Sequence, residues 1–192
     1  MMGTSDYKLT NTTLCIPQPV LITLLGMAND LNDPVLTQQL ESKNYLDMLK
    51  DKPGKVYPYQ CFLELVEIIS RHTYPDLPAT EQLFCFGRAA RHAYAQKTII
   101  GKVQLAASNF VTPSRSIYRS RDIQNNIFPY KRSVVEISPT NYQLLFHNDP
   151  GPADYWRGIL YEALVASHAK NPQVTIVALA SSGFSLDATW ED

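Results

Sequence analysis

The chain has 192 residues and a formal net charge of −1, with 45% hydrophobic and 18% charged residues. That balance describes a folded globular protein and excludes a disordered one. The near-neutral charge argues against a general nucleic-acid binder, and no apolar run reaches the ~20 residues a membrane span needs. One domain fits this length, and a domain of this size buries about 70% of the surface its unfolded chain exposes.

The opening MMGTSDYKLTNTT has no basic stretch followed by an apolar one, so no signal peptide is expected and the setting is read as cytoplasmic. Residues 15–28 are apolar, with Pro17 and Pro19 just inside the start, where proline suits a helix. A second short helix is expected from residue 34 to about 49, and residues 51–58 read as a turn leading into extended chain. Residues 59–72 place Phe62, Leu65, Val66 and Ile69 on one face, with Glu64 and Glu67 away from it, the mark of an amphipathic helix.

The prolines of Tyr74-Pro75-Asp76-Leu77-Pro78 break that helix, and Asp76 or Thr80 is placed to cap the next one. This next helix is expected to reach about Phe110, either as one long central helix or as two with a kink near Lys97. Gly87, Ala90, Tyr94, Thr98, Gly101 and Leu105 follow one another at steps of three and four, so they share one face of it. Each glycine costs about 1 kcal/mol of helix propensity relative to alanine. Two such glycines imply close backbone approach: tight helix packing by preference, with a ligand pocket or a dimer seam as alternatives.

Beyond Pro113, Arg115, Arg119, Arg121, Lys131 and Arg132 are interleaved with Tyr118, Phe128 and Tyr130, with Asp122 in opposition. This segment reads as a solvated connection whose arginines pair with surface carboxylates or a partner; the functional version is a site for an anionic effector. Residues 133–138 and 142–147 are β-rich and joined by Pro139-Thr140-Asn141 as a hairpin. After a loop at 147–152, Asp154 is expected to cap a helix over 155–168 with Trp156, Ile159, Leu160, Ala163 and Leu164 inward, ended by Asn171-Pro172. Strands at 174–180 and 184–190 flank a Ser181-Ser182-Gly183 turn, and Phe184, Leu186, Ala188 and Trp190 alternate with polar neighbours. The fold class is α+β in a single domain. Helices at about 15–112, including the long central one, pack on an antiparallel sheet of about four strands from a ββαββ half at about 113–192.

Reactive constellations are scarce. Cys15, Cys61 and Cys85 form no CxxC pair and read as small buried hydrophobes in a reducing compartment. His72, His92, His147 and His168 show no HxxxH or HExxH spacing, and there is no GxSxG elbow or phosphate-binding glycine loop. No metal, catalytic residue or enzymatic activity is expected.

The order Tyr57-Pro58, Tyr74-Pro75, Leu77-Pro78, Gly87-Arg88, Thr98 to Gly101, Asn125-Asn126, Gly151-Pro152, Trp156-Arg157-Gly158 and Trp190 resembles a paralogous family of unknown function expanded in myxobacteria. That family is similar to the wider group of heme-NO-binding, 4-vinyl-reductase-type and TRAPP-subunit domains. The resemblance implies helices against an antiparallel sheet, an interior pocket and dimers, and in TRAPP-like members an acyl chain on a cysteine, here Cys61 or Cys85. Heme-NO-binding domains hold propionates with tyrosine-x-serine-x-arginine. Tyr118-Arg119-Ser120 begins that pattern, but Asp122 stands where the arginine belongs and Arg121 comes one residue early. No cofactor is therefore expected, and a heme or other tetrapyrrole-binding protein is the alternative. The expected role is a non-enzymatic sensor or adaptor, homodimeric, taking a small lipophilic or anionic ligand or a protein partner in bacterial signalling. Its candidate ligand-binding residues are Gly87, Tyr94, Thr98, Gly101, Tyr118, Arg119 and Arg121.

Overall fold

Prolines open three of the helices, as their missing N–H and preset φ favour. The computed structural model describes residues 14–97, 111–178 and 183–191. Helix α1 (Gln18–Asp30) carries Pro19 in its first turn and buries Leu21, Leu24, Leu25 and Ala28. Helix α2 (Pro34–Ser42) is capped by Asp33, whose carboxylate accepts from the Val35 and Leu36 N–H groups at 2.8 and 3.2 Å. It is shorter than predicted because Asn44 is left-handed, at φ 59°, and the chain resumes as a 3-10 turn over Tyr45–Lys50.

The extended approach predicted before residue 59 is strand β2 (Val56–Pro58), antiparallel to a short β1 (Cys15–Pro17). Helix α3 (Tyr59–Thr73) fully buries Phe62, Leu65, Val66 and Ile69, the predicted face. Helix α4 (Ala79–Lys97) begins directly after Pro78, so Thr80 lies inside it rather than at its cap. Thr98, Gly101 and Leu105, with the rest of the predicted helix, lie outside the described residues.

Residues 113–127, read from the sequence as a connection, form helix α5 (Pro113–Ile127). Thr112 caps it by accepting from the Arg115 N–H, and Pro113 starts its first turn. Its buried face is Ser116, Ile117, Ser120 and Gln124. The helix is amphipathic, but its polar make-up and interleaved arginines make the segment read as a connection.

The C-terminal half is ββαββ: β3 (Arg132–Ser138), β4 (Asn141–His147), α6 (Ala153–Ala166), β5 (Lys170–Ala178) and β6 (Gly183–Glu191). The sheet is antiparallel throughout, in the order β3-β4-β6-β5, with Leu144 opposite Leu186 and Leu186 opposite Ile176. Asp154 sits in the first turn of α6 and pairs with Arg157 at 3.2 Å instead of capping. That helix ends at Ala166, where the Ser167 hydroxyl donates to the Ala163 and Leu164 carbonyls. Asn171 and Pro172 therefore belong to β5, at a register shift between residues 170 and 173, because a proline inside a strand is accommodated at a bulge. The inner face of the sheet, Tyr142, Leu144, Phe146, Phe184, Leu186 and Ala188, joins α1, α3 and α6 in one hydrophobic cluster. Among the described residues no helix is long and apolar enough to cross a membrane.

Candidate functional site

Two glycines bring α4 and α6 into backbone contact. A Cβ on Gly87 would lie 2.1 Å from the Tyr155 carbonyl oxygen, and one on Gly158 would lie 2.1 Å from that of Phe84. No side chain fits either point, so the helices touch there. From Ala90 onward a cavity of about 120 Å³ lies between α1, α4, α5 and α6. Val20 and Leu24 come from α1, Ala90 and Ala95 from α4, Ile123 and Ile127 from α5, and Trp156 and Ile159 from α6.

A few polar groups are set into these apolar walls, the usual composition of a ligand site. Glu162 is 7% exposed; it accepts from Arg88 Nε at 2.9 Å and lies 2.8 Å from His92 Nε2. The hydrogen bond to Glu162 raises the Arg88 pKa, and its guanidinium stacks over Tyr161 at 5.0 Å. Arg91 also lines the cavity. Burial pulls its pKa down to about 10, with Glu162 working against that shift and Arg119 adding to it. Ser120 and Gln124 project from successive turns of α5, and Gln124 Oε1 is buried with no hydrogen-bond partner.

Behind the cavity wall lies a second charged group. Arg132 and Asp149 are fully buried and paired at 2.6 Å. The Arg132 guanidinium is enclosed by the rings of Phe128, Phe146 and Trp156 at 4.9–5.1 Å. Asp149 also accepts from the Tyr59 hydroxyl at 3.0 Å and the Gly151 N–H at 2.8 Å. Trp156 belongs to both the cavity and this cluster.

Of the candidate residues named from sequence, the cavity takes in Tyr94. Gly87 lies at the α4–α6 contact just before it, and Arg119 influences Arg91 through space. Tyr118 turns to the hairpin, its hydroxyl 3.5 Å from Glu136 and its ring edge-on to Tyr142. Arg121 lies over the Tyr118 ring and pairs with Asp122 at 2.6 Å. Thr98 and Gly101 lie outside the described residues. Cys61 and Cys85 are half-buried and neither lines the cavity. Sequence reasoning misses Arg91, Gln124 and Glu162. Arg91 comes one turn after Gly87 on the same face, and Glu162 is a lone carboxylate among Leu160, Ala163 and Leu164 on a face predicted to be buried.

A four-stranded antiparallel sheet covered by these helices is the fold of H-NOX domains. An H-NOX protein from S. oneidensis in the Fe(II)NO ligation state has a TM-score of 0.65 at 14% identity, over 92% of this chain and 100% of that one. The Fe(II) unliganded H-NOX protein from K. algicida has 0.63 at 9%, covering 92% and 97%. A structure probing the function of heme distortion in the H-NOX family has 0.68 at 12%, covering 92% and 96%. No curated protein matches the chain. The chain belongs to the family described as a protein of unknown function, DUF2378, whose pattern matches residues 22–191.

Heme is the group this fold implies, and the residues present do not fit it. The cavity of about 120 Å³ falls well short of the ~300–1,000 Å³ of pockets that bury drug-sized molecules, so a heme macrocycle does not fit it. His92, on the wall, is engaged by Glu162, while His72 is held between Asp33 at 2.7 Å and Gln39 at 3.2 Å. His147 Nε2 lies 2.8 Å from the Ser133 hydroxyl, and His168 follows the end of α6 with φ 62°. Tyr118, Ser120 and Arg121 point to three different places: the hairpin, the cavity and Asp122.

Proposed function

We propose that the chain is a non-enzymatic sensor domain of a bacterial signalling system, cytoplasmic and homodimeric, that holds a small ligand between α1, α4, α5 and α6. The observation that carries this reading is the cavity itself, apolar in its walls and furnished with Arg91, Gln124 and Glu162. An apolar void of this size can accept a molecule the size of benzene, whereas polar groups on its wall favour a ligand with a polar end. The shared fold adds weight, because the S. oneidensis neighbour is described in a ligated state. Resemblance to a paralogous family expanded in myxobacteria supports the bacterial setting. We propose further that no heme is held.

Native mass spectrometry of the freshly purified chain tests the reading. A dimer carrying a small added mass is expected; a bare monomer would remove most of its support. Hemin added to the same protein is expected to show only the broad absorption of free hemin, with no sharpened and shifted Soret band. A Soret band abolished by His92→Ala would reinstate the tetrapyrrole alternative.

A further inference from the structure

We infer that the cavity is built for a small apolar monoanion, a carboxylate on an aromatic or short branched body, with Arg91 taking the charge and Gln124 the second polar contact. This rests on the ligand-sensing reading above and adds the class of ligand.

The first argument is charge. Arg88 and His92 already occupy the two Glu162 oxygens, at 2.9 and 2.8 Å, and Arg91 faces the same carboxylate through space with Arg119 close enough to repel it. Among the described residues, then, Arg91 and Arg119 add positive charge that Glu162 cannot balance. A guanidinium does not shed its proton in a protein, so Arg91, half-buried on the cavity wall, keeps its charge there. Such a group attracts an anion that enters the cavity, and its planar fork matches a carboxylate.

The second argument is the amide. Gln124 is 5% exposed, and its Oε1 has no partner. Buried polar groups are nearly always hydrogen-bonded, so an orphan on a residue that lines the cavity calls for a partner, which the amide can meet by turning. Rotation about the last bond of the side chain lets this amide present either its oxygen or its N–H. The third argument is size and lining. About 120 Å³ walled by Leu24, Ala90, Ile123, Ile127, Trp156 and Ile159 suits a single ring or a short branched chain, and is too small for a macrocycle or a long acyl chain.

Calorimetric titration of the full chain with benzoate, and separately with the neutral isostere benzamide, tests this directly. Benzoate is expected to bind at least tenfold more tightly. Arg91→Met is expected to lose at least tenfold in benzoate affinity, to keep its benzamide affinity and to melt no lower than the unaltered chain; Arg91→Lys should recover part of the loss. Equal binding of benzoate and benzamide by the unaltered chain, or an Arg91→Met variant that holds benzoate as before, overturns the inference while leaving a ligand-binding cavity in place. If neither probe binds and the native spectrum shows no added mass, the sensor reading falls with it. The comparison of the two probes needs no variant, so a misfolded Arg91→Met does not weaken the test.

Discussion

Asp149 is the residue on which the two halves of the fold meet. Its carboxylate takes hydrogen bonds from Tyr59 on α3, from Arg132 at the start of β3 and from its own loop. Burial drives the Arg132 pKa down and Asp149 pushes it back, so the charged pair depends on both members. Removing one partner of a buried ion pair costs about 3–5 kcal/mol, because a desolvated charge is stranded, whereas replacing both costs less. Asp149→Asn is therefore expected to lower the unfolding free energy from urea denaturation by an amount in that range, read as a lower midpoint at unchanged m, and Arg132→Met combined with it should restore part of the loss. Read from the sequence, Arg132 is one cation in a basic surface segment. Nothing local distinguishes it, because its partner lies seventeen residues on, across the hairpin.

For the elements, the α4–α6 contact dominates. The stripe at Gly87 reads as close packing from helix propensity alone, and its partner glycine, Gly158, sits on the helix it meets. Gly87→Ala gains about 1 kcal/mol of helix propensity but places a methyl group 2.1 Å from a carbonyl oxygen, where backbone has to move. Overpacking costs about 1–3 kcal/mol, and where backbone itself has to move the upper half of that range applies, so the propensity gain does not cancel it. Thermal melting of Gly87→Ala and of Gly158→Ala is expected to fall by several degrees; an unchanged melting temperature would refute the close contact. Helices α3 and α6 are legible because each has an apolar face at helical spacing, and α1 because an apolar run follows prolines at its start. Helix α5 is not: it meets α6 through Ser116, whose hydroxyl donates to the Ala163 carbonyl at 3.1 Å, and it lines the cavity with Ser120 and Gln124. A helix packed largely through polar residues has low overall hydrophobicity, which masks its period in the sequence, and here those polar residues also furnish the candidate site.

Across the whole molecule, the described carboxyls held below their ordinary range lie in the N-terminal half. The Asp33 carboxyl is held below its ordinary range by the hydrogen bond to His72, Asp51 by Lys55 and Tyr57, and Glu64 by Lys43 and Tyr45. A pKa depressed in the folded state adds stability above the unfolded value and gives it up as pH falls through the folded one. The melting temperature is therefore expected to hold down to about pH 4 and to drop below it. His72→Gln should melt lower than the unaltered chain at pH 6, with the gap narrowing on acidification; a gap independent of pH would show that Asp33 and His72 are not coupled.

Periodicity and turn chemistry by themselves determined the α+β class, the ββαββ half and the buried faces of α3 and β6, because those faces repeat at 3.6 or 2 residues along the chain. The glycine stripe also announced a close approach before its partner was known. Only the tertiary structure decided the sheet order, the burial of Arg132 and the meeting of Arg91, Gln124 and Glu162 around one cavity. Those depend on contacts between segments distant in the chain, where a polar residue's burial and charge are set by its spatial neighbours and not by its position in the sequence.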